Sequence, residues 1–198
     1  MAAYAITIFT GAFLLFLVQP LIGKFILPWF GGSPGVWATC MLFFHLLLLG
    51  GYAYAHWLTT RFTPRRQVVI HLVLLALAAL TLPILPSDAW KPASGSMPVP
   101  RILLLLVMSV GMPYFMLSTT GPLLQRWLSF THPGVVPYRL YALSNIGSLL
   151  ALVVFPFVLE PNTTRRDQAM TWSAGMVLFT LACGYCGWRL WKSGVNPA

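Results

Sequence analysis

Acidic residues are almost absent from this chain. Asp88, Glu160 and Asp167 are the only three in 198 residues, and charged residues of either sign amount to 8%. A water-soluble domain carries about a quarter charged residues, so an ordinary soluble globule is excluded. Cysteine is scarce as well: Cys40, Cys183 and Cys186 form an odd trio, too few for a disulfide framework. The sequence has no G-x-G-x-x-G-like loop, no pair of neighbouring acids and no metal-binding cluster, which removes the usual signs of an enzyme acting alone. The opening MAAYAITIFTG carries no basic residues ahead of its apolar run and no clean small-residue cleavage site. Its first apolar segment is therefore expected to be retained rather than removed as a signal peptide.

What fills the chain instead is apolar, at 58% hydrophobic residues. A membrane-spanning helix needs about 20 apolar residues, and six such stretches can be drawn, at about 5–28, 36–59, 67–86, 102–124, 140–159 and 169–189. They leave only short connections and no room for an appended soluble domain. The expected fold is all-α: a polytopic membrane helix bundle of about six transmembrane helices, forming a single integral membrane domain over residues 1–198. Eight Trp, seven Tyr and thirteen Phe supply residues for the lipid interface and for helix contacts.

The net charge is +9. In a soluble protein that excess would point to nucleic acid; here the bases sit at the ends of apolar stretches, where positive charge orients a membrane protein. No nucleic-acid partner is expected, and the bilayer is the first partner. Arg61, Arg65, Arg66, Arg126, Arg139, Arg189 and Lys192 fall on one side if both termini are cytoplasmic. Lys24, Lys91, Arg101, Arg165 and Arg166 fall on the other together with all three acids, leaving that side at about +2.

Prolines interrupt the apolar stretches at Pro20, Pro83, Pro113, Pro122 and Pro156. Each removes a backbone donor and is expected to kink its helix. Setting Pro20 against Pro122 aligns Phe13–Phe25 with Phe115–Trp127 at an offset of 102 residues, with four identities in thirteen and Lys24 opposite Arg126. Three spans separate these segments, so the alignment predicts a 3+3 inverted repeat, residues 5–86 against 102–189. Inverted repeats place transport sites where interrupted helices meet. On that reading Gln19, Pro20, Thr119, Thr120 and Pro122 line a site, with Lys24, Arg126 and Asn145 as further ligand-binding candidates. The simpler reading gives the small residues to helix packing and lets Lys24 and Arg126 snorkel to opposite interfaces.

Polar residues at membrane depth are expensive and call for a reason. His45 and His56, eleven residues apart, share a helix face. His56 and His71 fall near one depth, where a histidine pair can ligate a b-type haem; interhelical hydrogen bonding, or partial exposure at the headgroups, is the competing reading. Ser144-Asn145-Ile146-Gly147-Ser148 offers small residues for close approach and an amide needing partners. Cys183-Gly184-Tyr185-Cys186 has the C-x-x-C spacing of thiol exchange, as in a quinone-linked redox subunit, but its apolar setting lacks the cationic neighbour that activates a thiol. Packing cysteines are expected. Asn162-Thr163-Thr164 matches a glycosylation sequon but abuts the end of a span, and nothing else indicates a secretory-pathway protein.

Four strings resemble one family: Phe13–Phe44, Leu47–His56 (LLLGGYAYAH), Ser118–Trp127 (STTGPLLQRW) and Pro137–Pro161. They are similar to the membrane half of bacterial spermidine-synthase-like proteins, a major-facilitator-like segment usually followed by an aminopropyltransferase-like domain. The resemblance spans roughly residues 5–165 and implies a membrane domain related to a polyamine enzyme without its catalytic half. In that family the position of His45 is more often Gln. Polyamine transport is disfavoured, because a buried polycation needs carboxylates and all three acids lie at one surface. The expected function is a non-catalytic membrane subunit that anchors or organises a partner protein. The alternatives are a homo-oligomeric transporter of a small anion or neutral solute, and a haem- or quinone-associated redox subunit.

Overall fold

The computed structural model describes residues 1–91, 98–132, 134 and 138–194. All of its regular structure is helical, with no strand among the described residues. In chain order the α-helices are α1 (Ala2–Phe30), α2 (Pro34–Arg61), α3 (Pro64–Leu80), α4 (Pro98–Leu106), α5 (Met112–Ser118), α6 (Thr120–Thr131), α7 (Tyr138–Val154), α8 (Glu160–Asn162) and α9 (Arg165–Lys192). A π-helical turn, Val107–Gly111, joins α4 to α5, and a second, Phe155–Leu159, joins α7 to α8.

Helix starts follow from local chemistry. Pro34 and Pro64 occupy the first turns of α2 and α3, where a missing N–H costs nothing. Thr164 caps α9 in a reciprocal box: the Asp167 N–H donates to Thr164 Oγ1, and the Thr164 N–H donates to Asp167 Oδ2, both at 3.2 Å. Pro113 and Pro156 accompany the two π turns, which absorb the hydrogen bond that proline cannot donate. Pro20 and Pro28 are accommodated inside α1 without breaking it.

Five helical segments are long and apolar enough to cross a membrane: Ala2–Phe30, Pro34–Arg61, Pro98–Thr131, Tyr138–Asn162 and Arg165–Lys192. The third of the six sequence stretches is corrected. It does not form a helix over 67–86, because α3 is 17 residues long and stops at Leu80. Pro83 and Pro86 follow, and proline both lacks a donor and pushes its predecessor out of helical geometry. The chain past Leu80 folds back on α9, with Ile84 fully buried and its N–H donating to Ser173 Oγ at 3.4 Å.

α1 is the hub. It packs on α2, α5, α6, α7 and α9, while α3 packs on α9 and α2 packs on α4 and α5. The end contacts show which termini meet. Tyr4 Oη donates to the Cys186 carbonyl at 3.4 Å, Thr131 Oγ1 donates to Tyr4 Oη at 3.4 Å, and the Arg65 guanidinium lies 5.6 Å over the Trp191 ring. The start of α1, the end of α9 and the α2–α3 turn therefore share one end. At the other end Lys24 pairs with Glu160 at 3.0 Å, Arg165 Nη1 donates to the Lys24 carbonyl at 3.4 Å, and Lys91 lies 5.6 Å over Trp29. These contacts put Arg65 at one end and Lys24, Lys91 and Arg165 at the other, and the chain passes from one end to the other between Arg65 and Lys91. The side chain of Asp88 is outside the described residues.

Candidate functional site

Where α5 meets α6 the rod is interrupted. Ser118 closes α5, Thr119 is the joint, and α6 resumes at Thr120. Pro122 cannot donate to the Ser118 carbonyl, which loses its helical partner. The hydroxyls at the joint turn inward on their own helix: Thr119 Oγ1 donates to the Met116 carbonyl at 2.7 Å, and Ser118 Oγ to the Phe115 carbonyl at 2.6 Å. α2 crosses closely here because residue 51 is glycine; a Cβ at Gly51 would overlap Ser118 Oγ.

α7 comes equally close to α1. A Cβ at Gly147 would sit 2.8 Å from the Phe9 carbonyl oxygen and 3.3 Å from its ring, so the two backbones meet where only glycine fits. On α7, Tyr141, Ser144, Asn145 and Ser148 follow the i, i+3, i+4, i+7 spacing of a single helical face.

Between α1, α2, the α5–α6 joint and α7 lies a cavity of about 400 Å³. Its polar lining is Tyr52, Ser118, Thr120, Gln125 and the four α7 residues; Ile8, Leu15, Phe16, Leu48 and Leu117 supply apolar walls. No lining residue is charged. Tyr52, Tyr141 and Asn145 are exposed, so the cavity opens at the flank of the bundle. Asn145 makes no hydrogen bond within the described structure, whereas Ser148 Oγ donates to the Ser144 carbonyl at 3.0 Å. The arrangement offers hydroxyl and amide donors and acceptors beside an apolar wall, suited to a neutral hydrogen-bonding group.

Of the residues singled out in the sequence, Thr120, Pro122, Ser144, Asn145 and Ser148 reach this cavity. Thr119 is fully buried at the joint and does not line it. Gln19 Nε2 donates to Tyr114 Oη at 3.3 Å, outside the lining. Lys24 belongs to the far end of the bundle through its Glu160 pair, and Arg126 is exposed with its guanidinium 4.6 Å over Phe130. Sequence reasoning missed Tyr52, Gln125 and Tyr141. The four-residue polar face of α7 was a usable signal for Tyr141; Tyr52 and Gln125 carried none.

The three candidate haem ligands occupy unlike surroundings. His45 and His56 are exposed on α2, and a His45 ring nitrogen lies 2.7 Å from the Met41 carbonyl. His71 is fully buried on α3, with Tyr54 stacked at 6.2 Å on one side and Trp127 edge-on at 5.8 Å. Neither His71 ring nitrogen has a hydrogen-bond partner among the described residues. Trp127 Nε1 donates instead to Gln67 Oε1 at 3.1 Å, tying α6 to α3. Cys183 and Cys186 are buried free thiols, with Cys186 Sγ 3.6 Å from Thr7 Oγ1. Asn162 Nδ2 donates to the Val158 carbonyl at 2.7 Å.

In comparisons with known proteins, no family model, no curated protein and no solved structure matches this chain.

Proposed function

We propose that this chain is a multi-pass protein of a bacterial inner membrane, crossing it six times with both termini cytoplasmic, and that it acts as a non-catalytic subunit organising a partner membrane protein. The grouping of Arg65 with the C-terminal Trp191, away from the Lys24–Glu160 pair, supports that orientation. In this reading α3 and the segment after it make the short sixth crossing. An inverted repeat is supported by paired contacts: α1 packs on α7 as α4 packs on α2, and α3 packs on α9 between them.

The observation that carries the subunit reading is Asn145. It is an exposed amide without an internal partner, and it sits in Tyr138–Asn162, where only 17% of the apolar window is buried. An amide facing lipid is costly, while the same amide hydrogen-bonded to a helix of another chain holds two subunits together. The resemblance to the membrane half of spermidine-synthase-like proteins points the same way. A photo-crosslinker at the exposed Leu149, one turn from Asn145 along α7, is expected to capture one membrane protein in stoichiometric yield in native membranes. A crosslinker at the exposed, apolar Leu181 of α9 is the control, and equal capture at both positions would refute the reading.

A second reading rests on the cavity. Its uncharged polar lining beside the α5–α6 interruption suits a small neutral solute carried by a homo-oligomer, and the engagement of Lys24 with Glu160 favours a neutral solute over an anion. Substrate-dependent uptake into vesicles holding only this protein would select transport.

A further inference from the structure

Five bases share the end of the bundle opposite the start of α1 and the end of α9, and the fold uses them differently. Lys24 is neutralised by Glu160 at 3.0 Å. Arg101 Nη2 donates to the Lys91 carbonyl at 2.8 Å and lies 3.5 Å from the Ala89 carbonyl, so it ties down the backbone ahead of α4. The remaining three, Lys91, Arg165 and Arg166, line a second pocket of about 470 Å³ with Phe25, Trp29, Leu85, Pro86 and Thr164. Among the described residues, the charged lining of this pocket is entirely basic.

The setting holds these cations in place. The Arg165 guanidinium stands 5.4 Å over the Phe25 ring, a contact that positions its charge without neutralising it, and Lys91 stands 5.6 Å over Trp29. Arg166 forms no ion pair or hydrogen bond among the described residues. The nearest described acid in sequence, Asp167, accepts from the Thr164 N–H and hydroxyl on Oδ2, at 3.2 and 2.6 Å, and its carboxylate stays within electrostatic reach of Arg166. The pocket thus sets two guanidinium forks and an ammonium above an apolar floor of two aromatic rings, a leucine and a proline.

We propose that this pocket binds a phosphate group. Guanidinium forks match the several acceptor oxygens of a phosphate, and the charge of a monoester or diester offsets basic groups gathered at a membrane-facing end. The apolar floor takes the uncharged part of the molecule. The shared chemistry has two sources, the headgroup of an anionic phospholipid or free phosphate in solution. This pocket is separate from the uncharged cavity, with no lining residue in common.

The test compares two matched double variants of the full chain in detergent: R165Q/R166Q at the pocket, and R65Q/R66Q at the opposite end, which removes the same charge. The probes are phosphatidylglycerol, with phosphatidylcholine as the zwitterionic reference, followed by native mass spectrometry, and inorganic phosphate followed by calorimetry. The expected result is retention of phosphatidylglycerol over phosphatidylcholine, or saturable binding of inorganic phosphate, weakened at least tenfold in R165Q/R166Q and changed less than twofold in R65Q/R66Q. Lipid retention without phosphate binding identifies a headgroup site, and phosphate binding that displaces no lipid identifies a soluble anion. The single variant Arg166→Gln breaks no hydrogen bond or ion pair among the described residues, so its loss of binding with an unchanged melting temperature separates recognition from folding. Absence of binding to every probe, or equal losses in the two double variants, overturns the proposal.

Discussion

Replacing Gly147 with alanine measures how closely α1 and α7 approach. The added methyl would lie 2.8 Å from the Phe9 carbonyl oxygen and 3.3 Å from its ring. An unstrained carbon-to-oxygen contact needs a few tenths of an ångström more, and the obstacle is backbone, which cannot rotate away. Either α7 moves off α1 or strain is stored; overpacking of this kind costs about 1–3 kcal/mol. Against it stands the helix propensity gained on replacing glycine with alanine, about 0.5–1 kcal/mol. The net expectation is a loss of about 0.5–2 kcal/mol, or a few degrees of melting temperature at roughly 2–4 °C per kcal/mol for a domain of this size. Gly184→Ala is the internal control, because it lies mid-helix in α9 and nothing stands within 4 Å of its added methyl. That variant is expected to gain up to about 1 kcal/mol. The assay is thermal unfolding of the purified chain in one detergent, followed by tryptophan fluorescence. If Gly147→Ala is as stable as Gly184→Ala, the close crossing of α1 and α7 is refuted.

Other perturbations follow from single contacts. Gln67→Leu leaves the fully buried Trp127 indole N–H without its acceptor and the Phe62 carbonyl without its side-chain donor, and is expected to lower stability by about 1–3 kcal/mol in the same melt. Thr164→Ala removes the α9 cap and is expected to cost about 1 kcal/mol, with Thr164→Ser recovering it. Lys24→Met breaks an ion pair whose partners are 27% and 46% exposed, so its effect stays below about 1 kcal/mol and shrinks with added salt. Asn145→Leu, lacking an internal partner to lose, is expected to leave the melt unchanged and to abolish capture of the partner protein at this face.

Much of the architecture was legible because it depends on composition along the chain. Long apolar runs form helices wherever backbone groups lack water, and the bases collected at the ends those runs define. The third helix was misjudged because hydropathy continues past Leu80 while the backbone does not: Leu82, Leu85 and the two prolines are apolar enough to extend a span but cannot extend a helix. The candidate site was half legible. Thr120 and Asn145 stood out as polar groups in apolar surroundings, but Gln19 carried the same signal and is occupied by Tyr114.

The amino-acid sequence by itself determined that this is a helical, acid-poor chain with its bases at helix ends, since each of these is a property of short segments. Only the tertiary structure decided which faces meet. Gly51 brings α2 against α5 and Gly147 brings α7 against α1, close enough for the hydroxyls of Ser118, Thr120 and α7 to line one uncharged cavity. The return of the segment after Leu80 brings Lys91 beside Arg165 and Arg166, 74 residues further along. Side-chain spacing repeats every few residues, whereas these groupings arise from close packing between helices, which no single segment encodes.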